Sequence, residues 1–310
     1  MGNKVFAKLY KSVSEQVQQF ADRGMVIDIP VDEAAEVLRS ITYYRFSGYA
    51  LPFRDAASGM YTNDLKFSDV VALYRFDGRL RELVGNALGA VEVTLRTILA
   101  DEFSAKYGPL GYLDAANFAP KSGYETTIAI VEREFGRSKQ PCAEHFKTEY
   151  VNPPFWAAVD VTTFGSVSNL LKELKRDDQN AVSTHYGLRG DYLASYMHHA
   201  TVLRNLCAHH CRVFDFPYSK LKTPPQEFIF APLKTWIKNG LAIRTDRPLL
   251  YQLALIYHLL KPTDSKVFDR DAWKKSICEH FGTLPQAIEN RVRGYVEFEK
   301  NAVSSPLWQP

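Results

Sequence analysis

The sequence predicts a mainly α-helical protein, and three observations carry that prediction. Apolar residues recur at helical spacing over long stretches, alternating apolar and polar runs are scarce, and neither a fixed-period repeat nor a low-complexity tract is present. Only short runs near Ile41 and Phe228 have the alternation expected of strands. The chain has 310 residues, of which 46% are hydrophobic, 24% charged and 13% aromatic. That composition excludes a disordered, collagen-like or disulfide-framework protein and is sufficient for a buried core.

Each element follows in chain order. A short helix is expected from Val31 to Ser40 with Asp32 as its N-cap, followed by the aromatic segment ITYYRFSGYALPFR and the turn-rich DAASGMYTND. Ser68 opens the longest helical pattern, in which Leu73, Phe76, Leu80, Leu83, Leu88, Val91, Leu95 and Ile98 recur at spacings of one turn, and Gly108-Pro109 stops it. Residues 121–150 are helical in part. Asn152-Pro153-Pro154 breaks the chain before a helix pair in FWAAVDVTTFGSVSNLLKEL, and KELKRDD at 172–178 reads as a solvated helix end. Gly190-Asp191 opens a second strong pattern, LASYMHHATVLRNLCAHHCRVF, expected to run until Pro217. Two or three further helices with proline-bearing connections fill the remainder. Three segments result: 1–65, mixed helical and aromatic; 66–220, a helical core; and 221–310, a C-terminal helical segment.

Several function classes are disfavoured. With 38 basic against 35 acidic residues the net charge is only +3, so an anionic partner must be held by a local constellation rather than a global field. Four cysteines suggest reduced thiols. The apolar stretch Leu249–Leu260 is interrupted by Gln252 and His258 and is shorter than a bilayer-spanning helix, while the first twenty residues lack the apolar core of a secretory leader. A cytoplasmic protein without a membrane span is expected.

Chemistry concentrates in one place. Four of the eight histidines lie between His198 and His210, in a segment that also holds Arg204, Asn205 and Arg212. At about 100° per residue, His198, Val202, Asn205, His209 and Arg212 share a helix stripe, with Arg204 about 140° round from His209. Only a long side chain spans that angle. The guanidinium fork suits a phosphate and an imidazole transfers protons near neutrality, so the pair is suited to phosphodiester cleavage. A structural reading stands beside it: a helix-end cation near the carbonyl dipole, or a satisfied buried histidine.

Other candidates divide in the same way. Cys207, His210 and Cys211 resemble a partial metal site, but the fourth ligand is missing, and neither metal nor cofactor is expected. Cys142 and Cys278 read as packing, and His198 and His199 as surface or interface residues. Tyr43, Tyr44, Arg45, Phe46, Tyr49, Phe53 and Arg54 interleave rings and cations as a single-strand binder would, although a core cluster is the favoured reading, with Arg45 paired to a carboxylate on the long helix. Glu92 and Arg96, at i and i+4, would ordinarily form a surface ion pair of small value.

RNLCAHHCRVFD resembles the R-N-x-x-x-H signature of the HEPN ribonuclease superfamily, in the RNxCAHHxR form of the Abi-like abortive-infection proteins (AbiD and AbiF type). YYRFSGYALPFR, FSDVVALYRFDGRLRELVGNALGAVEVTLR, PPFWAAVDVTTFGSVSNLLKEL with HYGL, LYQLALIYHLL and SSPLW resemble further blocks of that family in the same order. The resemblance implies a HEPN-type helical bundle with additional N- and C-terminal helical segments. It also implies phage defence by a metal-independent endoribonuclease that works as a homodimer, with Arg204 and His209 catalytic and Asn205 positioning them. His210 and Arg212 are possible contributors, and Glu92 and Arg96 would orient Arg204 or His209. The partner would be RNA in single-stranded regions, where the 2′-oxygen, phosphorus and leaving oxygen can align. An inhibitory RNA or protein antitoxin would restrain it. The alternative is a non-catalytic RNA- or protein-binding module of a defence or toxin–antitoxin system.

Overall fold

The computed structural model describes residues 9–61, 64–120, 123–214, 216, 249–284 and 288. Among them are twelve α-helices and only isolated β-bridges, so the chain is mainly α. The Phe228 run lies outside the described residues, and the run near Ile41 is helical.

Everything is organised round the long fourth helix, α4 (Phe67–Tyr107), about 60 Å from end to end. Leu73, Phe76, Leu80, Leu88, Val91 and Leu95 of its expected apolar stripe are buried, and Leu83 and Ile98 are half-buried. By length and composition α4 is apolar enough to cross a bilayer, with a window of mean hydropathy 1.3. In this fold that stripe is the core. Gly108 ends the helix at φ +75°, a left-handed position that glycine adopts without strain.

Before it come α1 (Val13–Asp22), α2 (Val31–Ile41) and α3 (Tyr43–Ala50). Ser12 and Glu15 close a reciprocal capping box on α1, a helix whose buried Val17 and Phe20 reach the core. The N-cap of α2 is Pro30, with Asp32 inside the first turn, where its charge still complements the helix dipole. The aromatic segment forms α3. Its Phe46 and Tyr49 are buried, and Phe46 stacks on Phe67 with ring centroids 4.3 Å apart.

After α4 come α5 (Tyr124–Arg137), α6 (Pro141–Glu149), α7 (Phe155–Asp160), α8 (Phe164–Glu173), α9 (Arg176–Thr184) and α10 (Gly190–Ala208). The run at 172–178 is more than a solvated end: Asp178 is buried and accepts from Lys106 Nζ at 2.5 Å and Tyr107 Oη at 2.8 Å, tying α9 to the end of α4. Gly190 starts α10 where a Cβ would stand 2.5 Å from Gln179, so a side chain there would collide. Its amide donates to Asn180 Oδ1 at 3.0 Å. Two C-terminal helices, α11 (Leu249–Leu259) and α12 (Arg270–Phe281), also pack on α4. From α12, Trp273 Nε1 donates to the Leu83 carbonyl at 2.9 Å, and His280 Nε2 lies 2.8 Å from the Phe76 carbonyl.

Candidate active site

The motif helix ends earlier than its apolar pattern suggests. α10 stops at Ala208, with His209 as C-cap and His210 at φ +52°. The His210 amide donates to the Cys207 carbonyl at 3.1 Å and the Cys211 amide to the Leu206 carbonyl at 2.8 Å, the two bonds of a Schellman stop. Arg212 has therefore left the helix, and the expected stripe ends at His209. Cys207, His210 and Cys211 no longer share a helix face for the same reason. Burial pushes the Cys207 thiol up to about 12, which disfavours the thiolate a metal needs. Among the described residues no group of three or more His, Cys, Asp or Glu side chains is arranged to hold a metal.

Up to that stop the stripe faces solvent: His198, Val202, Asn205 and His209 are all exposed. His199 is half-buried, and burial lowers its basicity. The His209 ring makes no hydrogen bond or ion pair with a described residue, so it is free to meet a ligand.

Arg204 is 36% exposed along its side chain and is held from behind. Glu92 of α4, whose side chain is only 8% exposed, places Oε2 at 3.3 Å from Arg204 Nη2. Its other oxygen accepts from Arg96 at 2.5 Å, and the same Arg96 nitrogen donates to the Thr162 carbonyl before α8. The pair is thus no surface ion pair. A buried carboxylate between two guanidinium groups fixes one of them, Arg204, while leaving part of its fork exposed. Asn205 Oδ1 accepts from Arg204 Nη1 at a long 3.4 Å. The structure therefore brings Arg204, Asn205, Glu92 and Arg96 together. His209 sits one turn further along α10, at its end.

The segment leaving α10 is anchored by residues that the sequence reading passed over. Asp77, fully buried in α4, accepts from Tyr49 Oη at 2.5 Å, Arg81 Nη1 at 2.6 Å, and the amides of Val213 and Phe214 at 3.2 and 2.7 Å. Arg81 Nη1 also donates to Tyr49 Oη at 3.0 Å and reaches the Cys211 carbonyl at 3.5 Å. Burial pushes the Asp77 carboxyl up from the ordinary value, against the pull of these donors. Burial pulls the Arg81 guanidinium down, and Asp77, Tyr49 and Tyr74 together more than offset that, leaving it above its ordinary value.

α3 adds two clamps. Arg45 donates to the His210 carbonyl, and Arg212 donates back to the Gly48 carbonyl. The partner of Arg45 is therefore the backbone of the motif segment and not a carboxylate on the long helix. The signal for the hub was present in Asp77 and Arg81, two charges at i and i+4 beside the apolar positions Phe76 and Leu80; their partners, 28 to 137 residues away in sequence, were not visible.

Against known families, the chain matches one family model, that of the Abi-like proteins, over residues 36–215. No curated protein and no solved structure matches it. The matched span begins in α2 and ends just beyond Phe214, so it contains α3, α4, the Asp77 hub and the whole motif segment. The residues that hold and form the candidate site thus fall within the span shared with that family, and the chain belongs to the Abi-like proteins, whose name points to abortive infection, a form of phage defence.

Proposed function

We propose that this Abi-like protein is an endoribonuclease that cleaves single-stranded RNA without requiring a metal, and that abortive infection proceeds through that cleavage. The observation that carries the reading is a guanidinium paired with a buried carboxylate and partly open to solvent, on the helix whose end also presents an exposed imidazole.

Such an arrangement suits transesterification. His209 takes the proton from a ribose 2′-hydroxyl, whose oxygen attacks the adjacent phosphorus. The bond to the 5′-oxygen breaks, leaving a 2′,3′-cyclic phosphate and a 5′-hydroxyl. Arg204 stabilises the charge that gathers on the phosphoryl oxygens, and Glu92, with Asn205, keeps its fork aimed. The leaving oxygen needs a proton from a second acid. A symmetric homodimer would supply it from the other copy, and the exposed stripe of α10 is a suitable surface for a two-fold contact. His210 contributes through its carbonyl and Arg212 through its guanidinium, and both hold the turn in which His209 sits. A nuclease of this kind endangers its host, so an inhibitory RNA or protein antitoxin would restrain it in the cytoplasm.

The test is incubation of wild type, Arg204→Ala and His209→Ala proteins with labelled RNA in chelator, followed by analysis of the fragment ends. Cyclic phosphate ends made by wild type alone are expected. RNA bound but left intact by wild type would instead favour a non-catalytic binding module.

A further inference from the structure

The aromatic and basic segment of α3 holds one charge that the site described above does not use. Arg45, half-buried, donates through Nη1 to the His210 carbonyl, one residue past His209. A carbonyl clamp engages one of the five donors of a guanidinium and has no need of its charge. Nor is that charge met elsewhere, for Arg45 makes no ion pair with a described residue. The neighbouring arginines differ: Arg81 is paired with Asp77, and Arg204 shares Glu92 with Arg96. His209 and His210, both exposed beside the Arg45 anchor, bring no negative charge. The end of α10 is therefore a place where a cation stands uncompensated until an anion arrives.

The same bond fixes where that anion would lie. Arg204 and His209 are five residues apart, about 8 Å along the axis of α10. Arg45 is anchored at the residue after His209. By their anchoring points, a guanidinium, an imidazole and a second guanidinium follow one another at the end of α10. With the scissile linkage held between Arg204 and His209, the next phosphodiester of the strand is the anion nearest to Arg45. The remaining N–H groups of its fork suit phosphoryl oxygens. A carboxylate would satisfy the charge equally, but every bound RNA strand carries a phosphate to this place.

We propose that Arg45 contacts the RNA phosphate adjoining the scissile one, so that a clamp on the motif turn also binds the substrate backbone. The assignment rests on the nuclease reading above and extends its phosphate contacts from one to two. No base preference accompanies it, because a phosphate contact carries no sequence information.

The experiment uses the full chain and DNA strands that carry a single ribose, so that cleavage fixes the register. The phosphate on the 5′ or the 3′ side of the scissile linkage is replaced by an uncharged methylphosphonate. For wild type, neutralising one of the two is expected to lower kcat/KM about fivefold, the scale of a partly exposed ion pair. Arg45→Gln keeps an amide donor without the charge; it should cut the fully charged strand more slowly and lose nothing further when that phosphate is neutralised. Arg45→Lys should keep part of the sensitivity. A residue that only holds the turn would give losses that multiply independently, and that result would overturn the proposal. So would a wild type indifferent to both neutral linkages, an arm that needs no variant to fold. Binding to 2′-O-methyl strands, which the proposed chemistry cannot cleave, gives a second readout. The slope of log affinity against log salt should shrink by about 0.7 in Arg45→Gln, and an unchanged slope counts against the contact. Cleavage with independent losses overturns the contact alone; a reduced salt slope without any cleavage overturns the nuclease reading and leaves the contact; no RNA binding overturns both.

Discussion

Asp77→Ala is the most severe single substitution that the hub predicts. The Asp77 side chain is 0% exposed and that of Arg81 9%, so the pair is out of water. Alanine would leave the Arg81 guanidinium with Tyr49 Oη and a distant Cys211 carbonyl, and would strip the Val213 and Phe214 amides of their carboxylate acceptor. Removing one member of a buried ion pair typically costs about 3–5 kcal/mol, most of it the desolvation of the charge left behind. The loss of the two amide contacts adds to that cost. Urea unfolding followed by circular dichroism measures it. A double-mutant cycle identifies the cause: combining Asp77→Ala with Arg81→Met removes the stranded charge, so the double variant should be more stable than the sum of the singles predicts, by about 2 kcal/mol. A loss below about 1 kcal/mol for Asp77→Ala, or strict additivity in the cycle, would refute the argument that this ion pair holds the exit of the motif helix.

Three further outcomes follow from the same contacts. Glu92→Gln removes the charge that aims Arg204, so RNA cleavage should slow by about tenfold to a hundredfold in kcat with KM little changed, whereas an unaltered kcat would show that Arg204 needs no such support. His210→Gly places the residue that tolerates φ +52° at the helix stop, and thermal melting should show a gain of about 1 kcal/mol, with a decrease counting against the left-handed strain. Burial in α11 lowers the His258 imidazole from 6.5 to about 4. The unfolded chain then takes up its proton first, so stability falls as pH drops from about 6.5 to about 4, by up to about 3 kcal/mol. His258→Phe should flatten that slope in unfolding titrations, and an unchanged slope would place its origin elsewhere.

The helices most visible in the sequence are those whose stability comes from one long apolar stripe. In α4, Leu73, Phe76, Leu80, Leu88, Val91 and Leu95 repeat the helical period and are buried, and Gly108 stops the helix by its own backbone freedom. α1 escaped notice because Val17 and Phe20 are its only fully buried residues, and α3 because an aromatic run at two faces has no clean period. The end of α10 was illegible for a different reason. His210 is not a glycine, and its left-handed conformation depends on the Schellman bonds and on Arg45, which lies 165 residues earlier.

That dependence changes how the motif should be understood. Arg204 and His209 are close in sequence, but two separate parts of the fold hold them. Arg204 is aimed from α4 by Glu92, itself shared with Arg96 and through it with the chain before α8. His209 owes its place to the turn that Arg45, Arg81 and Asp77 hold from α3 and from a point some fifteen residues earlier on α4, about 22 Å along the helix axis from Glu92. The spacing of the motif sets how far apart the two groups sit along α10, while α3 and α4 decide whether the guanidinium and the imidazole are both presented to solvent. A chain with the R-N-x-x-x-H letters but apolar residues at the Glu92 and Asp77 positions would retain the motif and lose the support for both groups. Among Abi-like chains, the carboxylates of the long helix should therefore discriminate competent sites better than the motif itself.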